Sequence, residues 1–250
     1  MSPRELGSDP AHAQFSTTRW SVIVAAGRST GDSARAALET LCRDYWYPLY
    51  AYLRRSGQSP NDAEDLTQGF FAGFLAKNYL ADLSPEKGRF RSYLLGALKH
   101  HVSGVRKRAR AAKRGGGKAP LPLDFERAEE RYRLEPSHDV TPDRIYERSW
   151  AIALLENVVE KLERDYADRG NGDLFAALRG FLTGADDTPY VDVGAGLDMS
   201  EGAVKVAVHR MRRRYGELLR DEITRTLEPG DDVESEIRHL FAALSGDRHA

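Results

Sequence analysis

At 250 residues the chain has room for one large or two small domains, and its 37 Lys and Arg balance 38 Asp and Glu to a formal net charge of -1. With 30% charged residues and no apolar run of bilayer-spanning length, the composition excludes a membrane protein. Cys42 is the single cysteine, which excludes an intrachain disulfide and a thiolate zinc site; beside Leu38 and Leu41 it reads as a packed core thiol. Met1 to His12 is polar and lacks a leader pattern, so the cytoplasm is the expected compartment.

Five stretches follow in order. Residues 1–32 form an N-terminal extension, polar except for Phe15-Ser16-Thr17-Thr18-Arg19-Trp20, whose aromatic ends are expected to dock on the first domain. Over 33–114 apolar residues recur at helical spacing, which predicts a small helical bundle. Gly115-Gly116-Gly117 breaks it. Residues 115–148, punctuated by Pro120, Pro122, Pro136 and Pro142, read as a partly extended acidic linker, with eight acids against five bases from Leu121 to Arg148. Helical periodicity resumes over 149–226, and 227–250 forms a C-terminal extension. The fold class is all-α, two small helical domains joined by that linker.

Within the first domain, Ser59 is placed to cap a helix that Pro60 opens, with acids in its first turns. Leu66, Phe70, Phe71 and Phe74 share its apolar arc, and Asp65, Gln68, Gly69 and Ala72 lie opposite. A second helix from Phe90 through Arg110 puts Leu94, Leu95, Leu98, Val102, Val105 and Ala109 on one side and Tyr93, Lys99, His100, Ser103, Arg106, Lys107 and Arg110 on the other. It belongs to a block, Lys87 to Lys118, with eleven Lys or Arg and no acid. Like charges gathered this way raise the free energy of the compact state, and an anionic partner, above all nucleic acid, is the usual reason. A basic face with an aromatic suits phosphate contacts and base stacking. His100 and His101 are adjacent, point apart and make a poor metal pair.

The second domain carries a helix-turn-helix pattern. Thr188 is read as the cap and Pro189 as the opening of a first helix lined by Tyr190, Val193 and Leu197, with Gly194 allowing close approach. Asp198-Met199 turns, and Ser200 caps a second helix whose Ala203, Val204, Ala207, Met211 and Tyr215 face the core. Glu201, Lys205, His209, Arg212 and Arg213 face outward with Arg210 at the flank, so Glu201 and Lys205 are placed to read bases and the later arginines to grip phosphates.

Asp62-Ala63-Glu64-Asp65-Leu66-Thr67-Gln68-Gly69-Phe70 resembles the region 2 signature of bacterial RNA polymerase sigma factors, closest to the extracytoplasmic-function class of the sigma-70 family. Phe90-Arg91-Ser92-Tyr93-Leu94 resembles the opening of that class's promoter-melting helix, and the helix-turn-helix falls where domain 4 should be. The resemblance covers about 33–114 (domain 2) and 149–226 (domain 4). Gly69 stands where a glutamate is usual, His100 where an asparagine is, and Gly104 where an aspartate is; with the terminal extensions these mark a variant subgroup.

The resemblance implies that Asp65, Gln68, Gly69 and Ala72 bind core polymerase at the clamp of the β′ subunit, the β subunit being a further partner. Arg91, Tyr93, Lys99, His100, Arg106, Lys107 and Arg110 would contact the -10 element, and Ser200, Glu201, Lys205, His209, Arg210, Arg212 and Arg213 the -35 element of promoter DNA. The linker resembles the connector that threads toward the RNA exit path. An anti-sigma protein or a regulatory kinase is the kind of controlling partner such a factor has, with Ser235 and Thr17-Thr18 as conceivable phosphate acceptors. No cofactor or metal is called for.

In the C-terminal extension an acidic run (Glu228, Asp231, Asp232, Glu234, Glu236) accompanies Val233, Ile237, Leu240, Phe241 and Leu244 at helical spacing, which predicts a terminal helix packed on the second domain, or a regulatory element that covers the basic helix or recruits a partner. A stand-alone helix-turn-helix regulator is the alternative function, disfavoured by the lack of an obvious dimerisation helix. An enzyme is disfavoured because there is no paired-metal acid cluster or nucleophile–base arrangement, and Gly115-Gly116-Gly117-Lys118 lacks Walker spacing.

Overall fold

The computed structural model describes residues 32–75, 89–111, 123–135, 140–184, 187–227 and 231–245, with 32–41, 75 and 108–111 described as backbone only. Among them run nine α-helices: α1 (Asp32–Arg55), α2 (Pro60–Leu75), α3 (Phe90–Ala111), α4 (Phe125–Arg133), α5 (Pro142–Ala167), α6 (Gly172–Leu178), α7 (Tyr190–Leu197), α8 (Glu201–Thr224) and α9 (Val233–Ser245), with a 3-10 turn at Arg179–Leu182. No strand occurs among the described residues, so the all-α expectation holds. The Phe15 to Trp20 segment, Thr17-Thr18 and the triple-glycine break lie outside the described residues.

Two apolar cores organise these helices. The larger gathers Tyr45, Leu49 and Leu53 of α1, Phe70, Phe71 and Phe74 of α2, and Phe90, Leu94 and Leu98 of α3. Cys42 is buried in it. Leu162, Phe175, Leu178, Phe181, Val204, Val208 and Met211 make the smaller core around the helix-turn-helix. Helix α5 belongs to both: Ile145, Tyr146, Trp150 and Leu154 enter the first, Leu162 the second. Thr141 caps it by accepting from Arg144 N, and Pro142 occupies its first turn. Helix α5 therefore starts inside the expected linker and runs through residue 149 without a break.

The linker also departs from the expected extended form. Asp124 caps α4 by accepting from Arg127 N at 3.1 Å, and Ala128 is buried. Arg54 clasps the Glu129 carboxylate through Nε (2.8 Å) and Nη2 (3.0 Å), and Tyr50 donates its hydroxyl at 2.7 Å. Trp46 stacks edge-on against Phe125 with centroids 5.4 Å apart. A bidentate arginine clasp plus an aromatic contact hold this polar nine-residue helix on α1, where its own propensity would not.

The clasp carries a pH signature. Hydrogen bonds from Arg54 hold the Glu129 carboxyl below its ordinary value of 4.5, despite burial. A depressed folded pKa means that the stabilisation is fully present above pH 4.5 and is lost as pH falls through the folded value. Glu129→Gln is expected to cost about 2 kcal/mol at pH 7, read as a shift in urea midpoint. That difference should shrink steadily below pH 4.5; a pH-independent difference would assign the loss to packing.

Candidate functional site

Helix α2 begins as its sequence dictates: Asp62 N donates to Ser59 Oγ at 3.1 Å, and Pro60 is the first helical residue. Its apolar arc is buried, which leaves Asp65 and Gly69 exposed and Gln68 and Ala72 half-exposed. Gln68 Nε2 donates to Glu64 Oε1 at 3.2 Å. The four residues thus lie on the accessible side of α2. Behind it α2 meets α3 closely: a Cβ at Gly69 would lie 3.4 Å from His101 Nε2. His101 is buried while its neighbour His100 is exposed, so the two histidines point apart as expected.

Helix α3 exposes Lys99, His100, Ser103, Arg106 and Lys107 on one face and keeps Tyr93 half-buried. The Arg110 side chain lies outside the described residues. Lys99 Nζ lies 5.3 Å from the Tyr52 ring centroid and 2.6 Å from Asp143 Oδ1. Burial works against the Lys99 charge, but the Asp143 hydrogen bond overcomes it and raises the pKa. Between α1 and α3 opens a groove of about 360 Å³ lined by Tyr52, Gln58, Lys99, Ser103, Arg106 and Lys107. Sequence reasoning missed Tyr52, because nothing local marks a tyrosine late in α1 as a neighbour of Lys99.

Arg91 departs from the sequence expectation of an exposed contact. It is 3% exposed. Its guanidinium stacks on Trp150 at 4.2 Å from the ring centroid, donates Nε to Glu147 at 2.8 Å, and pairs through Nη1 with Glu236 of α9, itself 1% exposed. Arg89 Nε reaches the other Glu236 oxygen at 3.0 Å, and His239 Nε2 stands 3.4 Å from Glu147 Oε2. Burial opposes the Arg91 charge, and Glu147 and Glu236 overcome that penalty to hold its pKa above the ordinary value. Helix α9 follows the predicted stripe, with Leu240 buried and Val233, Ile237 and Leu244 packed on the larger core. Phe241 is the exception, half-exposed at 50%, because α9 has only one packed side.

The helix-turn-helix is formed by α7 and α8. Asp198 turns the chain in the left-handed region (φ 54°), and Ser200 accepts from Ala203 N at 3.2 Å to start α8. Thr188 is not the cap of α7. Pro189 holds that position in an extended conformation (ψ 135°), and the helix opens at Tyr190. Gly194 packs against the turn: a Cβ there would lie 2.4 Å from Met199 O. Val204 and Met211 are buried as expected, together with Val208. Glu201, Lys205, His209, Arg210, Arg212 and Arg213 are all exposed.

Those side chains are not equally available. Lys205 pairs with Glu201 at 2.6 Å, Arg213 with Glu217 at 3.1 Å, and Arg212 donates twice to Phe181 O at 3.0 and 2.7 Å. The Glu201 pairing raises the Lys205 pKa. On the flank a groove of about 620 Å³ runs past Tyr166, Asn171, Met199, Val206, Arg210 and Arg214. No group of His, Cys, Asp and Glu suited to a metal occurs among the described residues, and no helix among them is long and apolar enough to cross a membrane.

The chain is 26% identical over 204 residues to the ECF RNA polymerase sigma factor SigE of Mycolicibacterium smegmatis, an alignment covering 80% of this chain and 68% of that protein. No family model and no solved structure matches. The resemblance to extracytoplasmic-function sigma factors read from the sequence is thus matched by similarity along most of the chain.

Proposed function

We propose, for a chain similar along most of its length to an extracytoplasmic-function sigma factor, that it acts as a transcription initiation factor: it binds core RNA polymerase and directs it to promoters. The observation that carries this reading is the pairing, on that one chain, of an exposed basic helix face with an exposed helix-turn-helix. In this reading the Asp65, Gln68, Gly69 and Ala72 surface docks on the β′ clamp. The α3 face (Tyr93, Lys99, His100, Arg106, Lys107 and Arg110) holds the opened -10 strand by phosphate contacts and stacking, and Tyr52 completes its groove. Ser200, Glu201, Lys205, His209, Arg210, Arg212 and Arg213, at the cap and on the exposed side of α8, meet the -35 duplex, with the N-terminal residues in the major groove and the later arginines on phosphates. Arg91 joins the DNA only if α9 lifts off. The protein binds and positions; polymerase performs the chemistry, and the cytoplasm is where both would meet.

The test is run-off transcription by purified bacterial core polymerase on a library of promoter fragments, with and without the protein. Start-site-specific transcripts that depend on the protein are expected. Asp65→Ala combined with Gln68→Ala is expected to weaken core binding by roughly ten-fold or more, the loss of a small interface hot spot. No core binding and no transcripts, alongside specific duplex binding by the free protein, would instead identify a stand-alone regulator.

A further inference from the structure

We propose that α5 and α9 inhibit the nucleic-acid face of α3 from within the chain, their carboxylates Asp143, Glu147 and Glu236 standing where strand phosphates would meet Lys99, Arg91 and Arg89. This rests on the reading of α3 as a nucleic-acid helix. Asp143 and Glu147 are one turn apart on α5 and present two carboxylates to one side. Lys99 takes the first at 2.6 Å and Arg91 the second at 2.8 Å. Glu236 inserts from α9 and takes Arg91 and Arg89 together. Three cations in the N-terminal half of α3 and just before it are therefore neutralised by one row of acids. Arg106 and Lys107, farther along α3, have no ion-pair partner among the described residues.

The contacts differ in strength, and that difference locates the clasp. Lys99 and Asp143 are 45% and 58% exposed, so water and salt screen their pair and it opens readily. The Arg91 and Glu236 side chains are 2% and 1% exposed, and Trp150 stacks on the guanidinium. Glu236 thus fastens α9 over Arg91 and Arg89, at the N-terminal end of α3. A strand can engage Arg106 and Lys107 in the closed form but cannot reach Arg91 until α9 leaves.

Two substitutions that open the latch with opposite changes of charge test this: Glu236→Arg, which sets a third cation against Arg89 and Arg91, and Leu240→Asp, which sets a carboxylate in the apolar seat of α9. Amide hydrogen exchange over 233–245 is expected to rise roughly ten-fold in both, with α1 and α2 unchanged as the control for folding. Affinity of the free protein for a forked DNA with a single-stranded arm is expected to rise roughly ten-fold in both. The salt dependence should steepen by about 0.7 for each cation released onto the strand. Faster exchange over α9 with unchanged affinity, or a gain in Glu236→Arg alone, would overturn the latch. Core binding by the unsubstituted chain is measured in parallel: its absence sinks the transcription reading, whereas exchange against affinity decides the latch on the free protein.

Discussion

Arg91→Met is expected to lower the free energy of unfolding by about 3–5 kcal/mol, the cost of leaving a buried charge without its partner. The charge left behind is Glu236, 1% exposed and then held by Arg89 alone. Methionine keeps much of the packing on Trp150, so the loss measures the ion pair more than the stacking. If α9 detaches to let Glu236 reach water, the loss is capped at the docking free energy of α9. Combining Arg91→Met with Glu236→Met should recover most of it, because removing both buried charges is nearly neutral where removing one is not. Urea denaturation of the two variants checks this. A near-neutral Arg91→Met that loses DNA affinity instead would return Arg91 to the role of an exposed contact.

Gly194→Ala is expected to cost about 2–3 kcal/mol and to abolish specific duplex binding. The added Cβ would sit 2.4 Å from Met199 O, and a backbone carbonyl within a tight turn cannot yield as a side chain end can. Alanine's better helix propensity returns about 1 kcal/mol at most, so steric overlap decides the sign. The same Cβ pushes α7 away from the turn that aims Ser200, Glu201 and Lys205. The cap bond from Ala203 N to Ser200 Oγ then breaks with it. Thermal melting together with duplex affinity tests both parts; Gly196→Ala, with nothing within 4 Å of its Cβ, is the matched control.

Local signals carried most of the fold. Caps at Ser59 and Ser200 and the apolar arcs of α2, α3 and α8 lie within a few residues of the helices they define, and the structure reproduces them. Long-range electrostatics did not show. The residue that buries Arg91 is Glu236, 145 positions away, and an arginine inside a basic block reads as solvated until that partner is placed. Likewise α4 is polar along most of its length and gains its seat from Arg54, 75 positions earlier, so a proline-punctuated acidic stretch read as linker. The α7 start failed for a local reason: Pro189 takes the cap position itself, and Thr188 stands one residue too early.

Helix α5 has 26 residues, and at 1.5 Å per residue it is a rod of about 39 Å. Because it contributes side chains to both cores, the two bundles share a beam and are not hung from a string. Bending at residue 149, where composition suggested a joint, would break a helix in mid-span. Separation of the bundles must instead proceed as delamination, one set of neighbours peeling from the beam while the other stays bonded. Calorimetry would register that coupling as a single melting transition for both halves.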